Sequence, residues 1–107
     1  MKKIIVFFII IYSTTIFAQI KVGAEITEKY LPLIEGKRVA VMANQTSMMG
    51  DIHLVDYLHN NKYNVVGIFS PEHGFRGTAD AGEHVASSVD QKTGIPIWSL
   101  YGAGSSK

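Results

Sequence analysis

The sequence predicts an α/β protein built on a parallel sheet, and three observations carry that expectation. The run Lys37-Arg38-Val39-Ala40-Val41-Met42-Ala43 is apolar with little alternation, as a strand covered on both faces is. Ile52, Val55 and Leu58 or His59 then recur at helical spacing, with Leu54 widening the stripe. A second apolar run, Tyr63 to Phe69, follows it. Strand, helix, strand in that order makes the two strands parallel neighbours, because such crossovers are right-handed within one sheet.

The amino terminus precedes this unit and has a different character. Met1-Lys2-Lys3 is basic, Ile4 to Tyr12 is apolar, Ser13-Thr14-Thr15 breaks the run, and Ile16-Phe17-Ala18-Gln19 follows. That layout predicts a secretory signal peptide over residues 1–18, cleaved after Ala18, although Ile16 departs from the small-residue rule. The apolar run is too short for a permanent membrane anchor. An exported protein, periplasmic or secreted, is the expectation.

Composition narrows the function classes. The formal charge is +1 from 10 basic and 9 acidic residues; removing Lys2 and Lys3 with the leader leaves 8 against 9, a formal −1. No basic excess points to nucleic acid. With no cysteine, the chain has no disulfide, no thiolate metal site and no lipid-modified amino-terminal thiol, so an exported chain rests on its core alone. About 89 residues remain to fold, enough for one small domain that buries a modest fraction of its surface.

Within the remainder, Ile26, Tyr30, Leu31, Leu33 and Ile34 suit a short amphipathic helix across Ala24 to Ile34, with Pro32 acting against its second half and Gly36 closing it. Asn44-Gln45-Thr46-Ser47 is a polar turn after the first strand. Asp51 is placed to cap the following helix, and Asn60-Asn61-Lys62 ends it. From Ser70 to Thr93 no periodicity is visible, and a loop of that length in a small domain is usually functional. Gly94 then introduces Ile95 to Tyr101, a third strand with Pro96 near its start, and Gly102 to Lys107 has a flexible composition.

The chemistry concentrates in Ser70-Pro71-Glu72-His73-Gly74-Phe75-Arg76-Gly77. A carboxylate, an imidazole and a guanidinium sit between glycines and a proline, beyond the end of a parallel strand, where open α/β sheets bind ligands. Asn44-Gln45-Thr46-Ser47 occupies the equivalent place after the first strand, so the two loops are expected to face one crevice. Glu72 suits a general acid or base if burial beside Phe75 tunes it, or an ion pair with Arg76 that holds the loop shut. His73 can orient Glu72, bond a substrate hydroxyl, or satisfy a loop carbonyl.

Arg76 suits a bidentate clamp on a substrate carboxylate, or a partner for Glu72 or Asp80. Asn44-Gln45-Thr46 matches a glycosylation acceptor and equally a turn that hydrogen-bonds its own backbone. Glu72, His73, Glu83 and His84 are metal-ligand types, but adjacent pairs lack the one-turn spacing of zinc helices, so a metal-dependent hydrolase is the weaker reading and no metal is assigned. Trp98 and Tyr101 can stack on a sugar or pack in a core. Gly102-Ala103-Gly104 lacks the third glycine of a dinucleotide fingerprint, and no nucleotide or other cofactor is expected.

Taken in order, these segments resemble the NamZ-like exo-β-N-acetylmuramidases, bacterial glycoside hydrolases acting on peptidoglycan fragments. The matching pieces run from Gly36-Lys37-Arg38-Val39-Ala40-Val41 through Asn44-Gln45-Thr46 to Phe69-Ser70-Pro71-Glu72-His73-Gly74-Phe75-Arg76-Gly77. They continue in Ala81-Gly82-Glu83, Asp90, Thr93-Gly94-Ile95-Pro96 and Ser99-Leu100-Tyr101-Gly102. The resemblance implies a Rossmann-like amino-terminal domain without a nucleotide, over residues 19–107, and removal of terminal N-acetylmuramic acid from the non-reducing end of a disaccharide (MurNAc-GlcNAc) or glycan, in cell-wall turnover and recycling.

On that resemblance Glu72 is the catalytic carboxyl with His73 beside it. Asn44, Gln45, Thr46 and Glu83 line the substrate crevice, and Arg76 lies near the lactyl carboxylate of muramic acid. A second carboxylate (Glu83, Asp80 or one outside this sequence) or the substrate's acetamido group completes the reaction. The family continues into a second domain beyond Tyr101-Gly102, so an amino-terminal fragment is expected, with an inactive or merely glycan-binding remnant as the other reading.

Overall fold

The computed structural model describes residues 19–71, 73–77 and 87–100. The expected leader therefore lies outside the described residues, as do Glu72, Asp80, Glu83, His84 and Tyr101. Among the described residues no helix is long and apolar enough to cross a membrane.

A 3₁₀ turn, Gly23–Glu25, opens the described part, with the Glu25 carboxylate accepting from the Val22 N–H at 3.2 Å. Helix α1, Thr27–Ile34, follows it. Pro32 lies inside α1 and does not stop it. Its ring is exposed, and the last turn closes beyond it through Glu35 N–H to Leu31 O at 3.0 Å. Gly36, at φ +69°, ends the helix in the left-handed conformation that favours glycine.

Strand β1, Val39–Met42, leads through the polar turn into β2, Met48–Met49, and β3, Ile52–His53, which form a small antiparallel hairpin. Gly50, at φ +57°, takes the first position of its two-residue turn. This hairpin corrects the capping expectation. Asp51 belongs to the turn, and α2, Leu54–Asn60, is capped by His53, whose side chain accepts from the Val55 N–H at 3.2 Å. The helix starts later than its apolar periodicity suggests because Ile52 pairs with Met49 as a strand.

Strand β4, Val65–Ser70, lies parallel to β1, as the crossover order requires. The long segment after it contains β5, Ser88–Val89, which pairs antiparallel with β6, Pro96–Ser99. The sheet order is β1-β4-β6-β5, with β6 parallel to β4. The architecture is thus an α/β, partial Rossmann-like unit with three parallel strands and one antiparallel edge. That edge strand is two residues long, too short to leave a period in the sequence.

Register separates the two faces of the sheet. Val41, Ile68 and Ile97 are cross-strand partners on the face toward α2, and Ile68 is fully buried. Ile68 and Ile97 form the core with Ala43, Val55, Phe75 and Ile95, and the partly buried Val41 and Val65 pack against it. One residue along, Met42, Phe69 and Trp98 are partners on the opposite face, all exposed. Trp98 lies over Gly67, where a Cβ would come within 1.9 Å of its ring, and its centroid is 5.4 Å from that of Phe69. Helices were expected on both faces, and among the described residues α2 covers one.

Candidate functional site

Beyond the carboxyl ends of β1 and β4 the chain makes two loops, and the structure brings them together. Ala43 N–H donates to Phe69 O at 3.0 Å and Leu100 N–H to Ser70 O at 2.8 Å, so both loops leave from one rigid edge. A depression of about 200 Å³ opens there, lined by Met42, Ala43, Asn44, Ser47 and Pro71. Its lining comes from the end of β1 and from both loops, as the sequence predicts for a crevice.

The first loop is a self-bonded turn. Asn44 Oδ1 accepts from the Thr46 N–H at 3.0 Å and the Thr46 hydroxyl at 2.8 Å, while Ser47 Oγ accepts from the Asn44 N–H at 3.2 Å. An Asx turn of this kind presets the loop without help from a ligand. Gln45 reaches across to the second loop: a Cβ at Gly77 would lie 2.8 Å from Gln45 Cγ. Gly77, at φ +70°, supplies both the backbone conformation and the space for that approach.

The second loop carries His73, at φ +70°, and Gly74, at φ +75°. A left-handed histidine is unusual and costs free energy that surrounding contacts must offset. Phe75, by contrast, is buried in the core. Its ring meets His53 edge-on at 4.8 Å and stacks under the Arg76 guanidinium at 4.4 Å. His53 is buried as well, and its two nitrogens serve two elements. Nδ1 accepts from the Val55 N–H, so Nε2 carries the proton and donates to Asn44 O at 2.8 Å. One imidazole thereby joins the start of α2 to the first loop and touches the second.

Among the described residues the strongest electrostatic feature is the grip on Arg76. Its Nε and Nη2 donate to Asp90 at 3.1 and 2.8 Å, and its Nη1 and Nη2 donate to Asp56 at 3.3 and 2.9 Å. Lys92 Nζ donates to Asp56 at 2.6 Å, so two cations face two carboxylates that are each 4% exposed. Asp90 also accepts from the Thr93 hydroxyl at 2.6 Å and the Thr93 N–H at 3.0 Å, which folds the β5–β6 connection into a closed turn.

Burial pushes the Asp56 carboxyl up, but hydrogen bonds from Arg76 and Lys92 and their charges outweigh it and hold the group below its usual range. Burial likewise pushes Asp90 up, and bonds from Arg76 and Thr93 prevail in lowering it. Bonds from Asp90 and Asp56 raise Arg76 in turn.

Of the residues singled out in the sequence, Asn44, Gln45, Thr46, His73 and Arg76 lie on these two adjoining loops, while Glu72 and Glu83 lie outside the described residues. The partners expected for Arg76 are Glu72, Asp80 or a substrate carboxylate; Glu72 and Asp80 lie outside the described residues, and among the described residues the carboxylates placed on it are Asp56 and Asp90. Asp56 and His53 were missed because they sit within an apolar helical stripe, where attention goes to Val55 and Leu58. Asp90 had a visible signal in Asp90-Gln91-Lys92-Thr93-Gly94, an acidic residue three before a threonine and glycine that favour a turn. Among the described residues no group of three or more His, Asp or Glu side chains is placed to hold a metal.

Comparison with known proteins bears on this arrangement. Residues 39–107 match the family described as "Exo-beta-N-acetylmuramidase NamZ, N-terminal". The peptidoglycan beta-N-acetylmuramidase NamZ of Bacillus subtilis (strain 168) is 40% identical over 75 residues, 68% of this chain and 18% of that protein. Two crystal structures of DUF1343 family proteins from Bacteroides fragilis NCTC 9343 are 47% and 36% identical, each with a TM-score of 0.65, covering 78% of this chain and 21% of theirs. The chain thus spans about a fifth of the length of these relatives. With the parallel sheet, the paired strand-end loops and this match in agreement, the chain belongs to the NamZ exo-β-N-acetylmuramidase family, in the region of its amino-terminal domain.

Proposed function

We propose that this chain provides part of the active site of an exported exo-β-N-acetylmuramidase, which releases terminal N-acetylmuramic acid from the non-reducing end of peptidoglycan fragments in cell-wall turnover. The observation that carries the reading is the meeting of the Asn44–Ser47 turn and the Pro71–Gly77 loop beyond β1 and β4, in a chain whose family is named for that activity. In this reading Glu72 is the catalytic carboxyl and protonates the glycosidic oxygen as the bond breaks, with His73 beside it. Asn44, Gln45, Thr46 and Glu83 contact the sugar, and MurNAc-GlcNAc is the smallest natural substrate. Arg76 holds the loop that carries the acid.

The test is turnover of a chromogenic N-acetylmuramide by the full-length protein. Glu72→Gln is expected to lose at least 100-fold in kcat with substrate binding kept; near-wild-type turnover would remove Glu72 from the catalytic role. The share of its relatives' length that the chain spans keeps a second reading in play, a glycan-binding unit without catalysis. Binding of the N-acetylmuramide without any product from the wild-type protein selects it.

A further inference from the structure

We propose that Asp56 and Asp90 are positioning residues of this site: through Arg76 they hold the Pro71–Gly77 loop in the strained form that sets the place of His73. The inference rests on the muramidase reading for the reaction it serves, but not for the clamp itself.

His73 stands at φ +70°, where an L residue other than glycine is held only if its surroundings over-determine it. Two backbone bonds within the loop are long, Gly74 N–H to Pro71 O at 3.3 Å and Gly77 N–H to Gly74 O at 3.4 Å. The ends of the segment add a constraint of their own. At the first end Ser70 is fully buried and bonded into the sheet. At the second, Phe75 is locked in the core and Arg76 is fixed by four hydrogen bonds to two acids. Fixing both ends of so short a segment limits the conformations open to His73 and Gly74.

The two acids come from separate parts of the framework, 20 and 14 residues from Arg76. Asp56 is carried by α2 and Asp90 by the turn between β5 and β6, so the guanidinium registers the loop against helix and sheet together. Each acid is held from its other side, Asp56 by Lys92 and Asp90 by Thr93, which limits how far the clamp can yield. Two bidentate pairs demand the planar fork, and a lysine at position 76 cannot reproduce them.

The experiment compares Asp56→Asn and Asp90→Asn with wild type by two readouts. Amide hydrogen exchange on the 107-residue chain follows Gly74 and Gly77 against Ala43 and Leu100, whose N–H groups bond into the strands. Steady-state kinetics on the full-length protein use a chromogenic N-acetylmuramide. Each variant is expected to speed exchange at Gly74 and Gly77 at least tenfold with Ala43 and Leu100 changed less than threefold, and to lower kcat at least tenfold with KM within twofold.

Uniformly faster exchange, or selective loosening with kcat unchanged, overturns the proposal. A wild-type protein without turnover removes the muramidase reading, and exchange alone then decides whether the clamp holds the loop. Should the asparagine variants not fold, Thr93→Val deletes the hydroxyl bond to Asp90 together with the long bond the hydroxyl accepts from the Ile95 N–H at 3.4 Å, keeps the Thr93 N–H bond to Asp90, and is expected to loosen the same two amides selectively; unchanged exchange there overturns the proposal.

Discussion

Arg76 and Asp90 are joined side by side, Nε to Oδ1 at 3.1 Å and Nη2 to Oδ2 at 2.8 Å, and the same guanidinium takes Asp56 on its remaining edge. Both acids are buried and both titrate below their usual range, so the clamp ties the strand-end loop to folding stability.

Acid should therefore destabilise this chain through these two groups. Their carboxyls have lower pKa values in the folded protein than in the unfolded chain, where about 3.9 applies. The unfolded state takes up protons first as pH falls, so the stabilisation is complete well above pH 4 and is lost as pH drops through the folded values. Chemical denaturation between pH 7 and pH 2.5 should show a midpoint that declines below about pH 4. In Asp56→Asn/Asp90→Asn that decline should be shallower, from a lower starting stability; an identical slope would mean that other acids govern it.

The sheet was legible because its signals are long and redundant. Val39 to Met42 and Val65 to Ser70 are apolar runs separated by one helix, and handedness leaves a single neighbouring arrangement. The hairpin Met48–Met49/Ile52–His53 and the edge strand Ser88–Val89 were not legible, since strands of two residues have no period. At the site, the turn of Asn44 and the meeting of the two loops followed from strand ends alone. Which acids hold Arg76 did not, because Asp56 and Asp90 reach it through tertiary packing and neither lies within ten positions of it.

Gly67→Ala tests the exposed sheet face. The new methyl would lie 1.9 Å from the Trp98 ring, so the indole must move or the strands must part. Overpacking of this kind costs about 1–3 kcal/mol. Trp98 is the single tryptophan in the chain, which makes its fluorescence a direct report. The emission maximum should shift to the red in Gly67→Ala, and in the Trp98→Ala background the same substitution should cost roughly 1 kcal/mol less, the non-additivity expected of touching groups. Equal costs in both backgrounds would show that the ring does not lie over Gly67.

His53 gives a graded test. Replacing it with alanine removes the cap on Val55 N–H, the bond to Asn44 O and the edge contact with Phe75. A lost cap alone costs about 1 kcal/mol, and losing the bond to the half-buried Asn44 carbonyl adds up to about 1 kcal/mol. His53→Asn restores the cap but is too short to reach Asn44 in the same way. It should therefore recover roughly 1 kcal/mol of the loss while leaving the Asn44 turn loosened, measured by denaturation and by exchange at the Thr46 and Ser47 amides. Full recovery in asparagine would show that the Asn44 bond contributes little.

Gly77→Ala addresses the contact between the two loops. Two effects act in the same direction. At φ +70° an alanine bears the cost of the left-handed conformation, about 1 kcal/mol, and its methyl would meet Gln45 Cβ and Cγ at 2.9 and 2.8 Å. Those atoms lie close to the Gln45 backbone, so the clash moves the turn rather than only a side-chain end. If Gln45 contributes to the sugar site, displacement should raise KM for a chromogenic N-acetylmuramide several-fold in the full-length protein while the fold survives. Gln45→Gly relieves the clash but not the backbone strain. In that background Gly77→Ala should retain the cost of about 1 kcal/mol and cause no further rise in KM. A further rise would locate the effect in the Pro71–Gly77 loop itself instead of in its contact with Gln45.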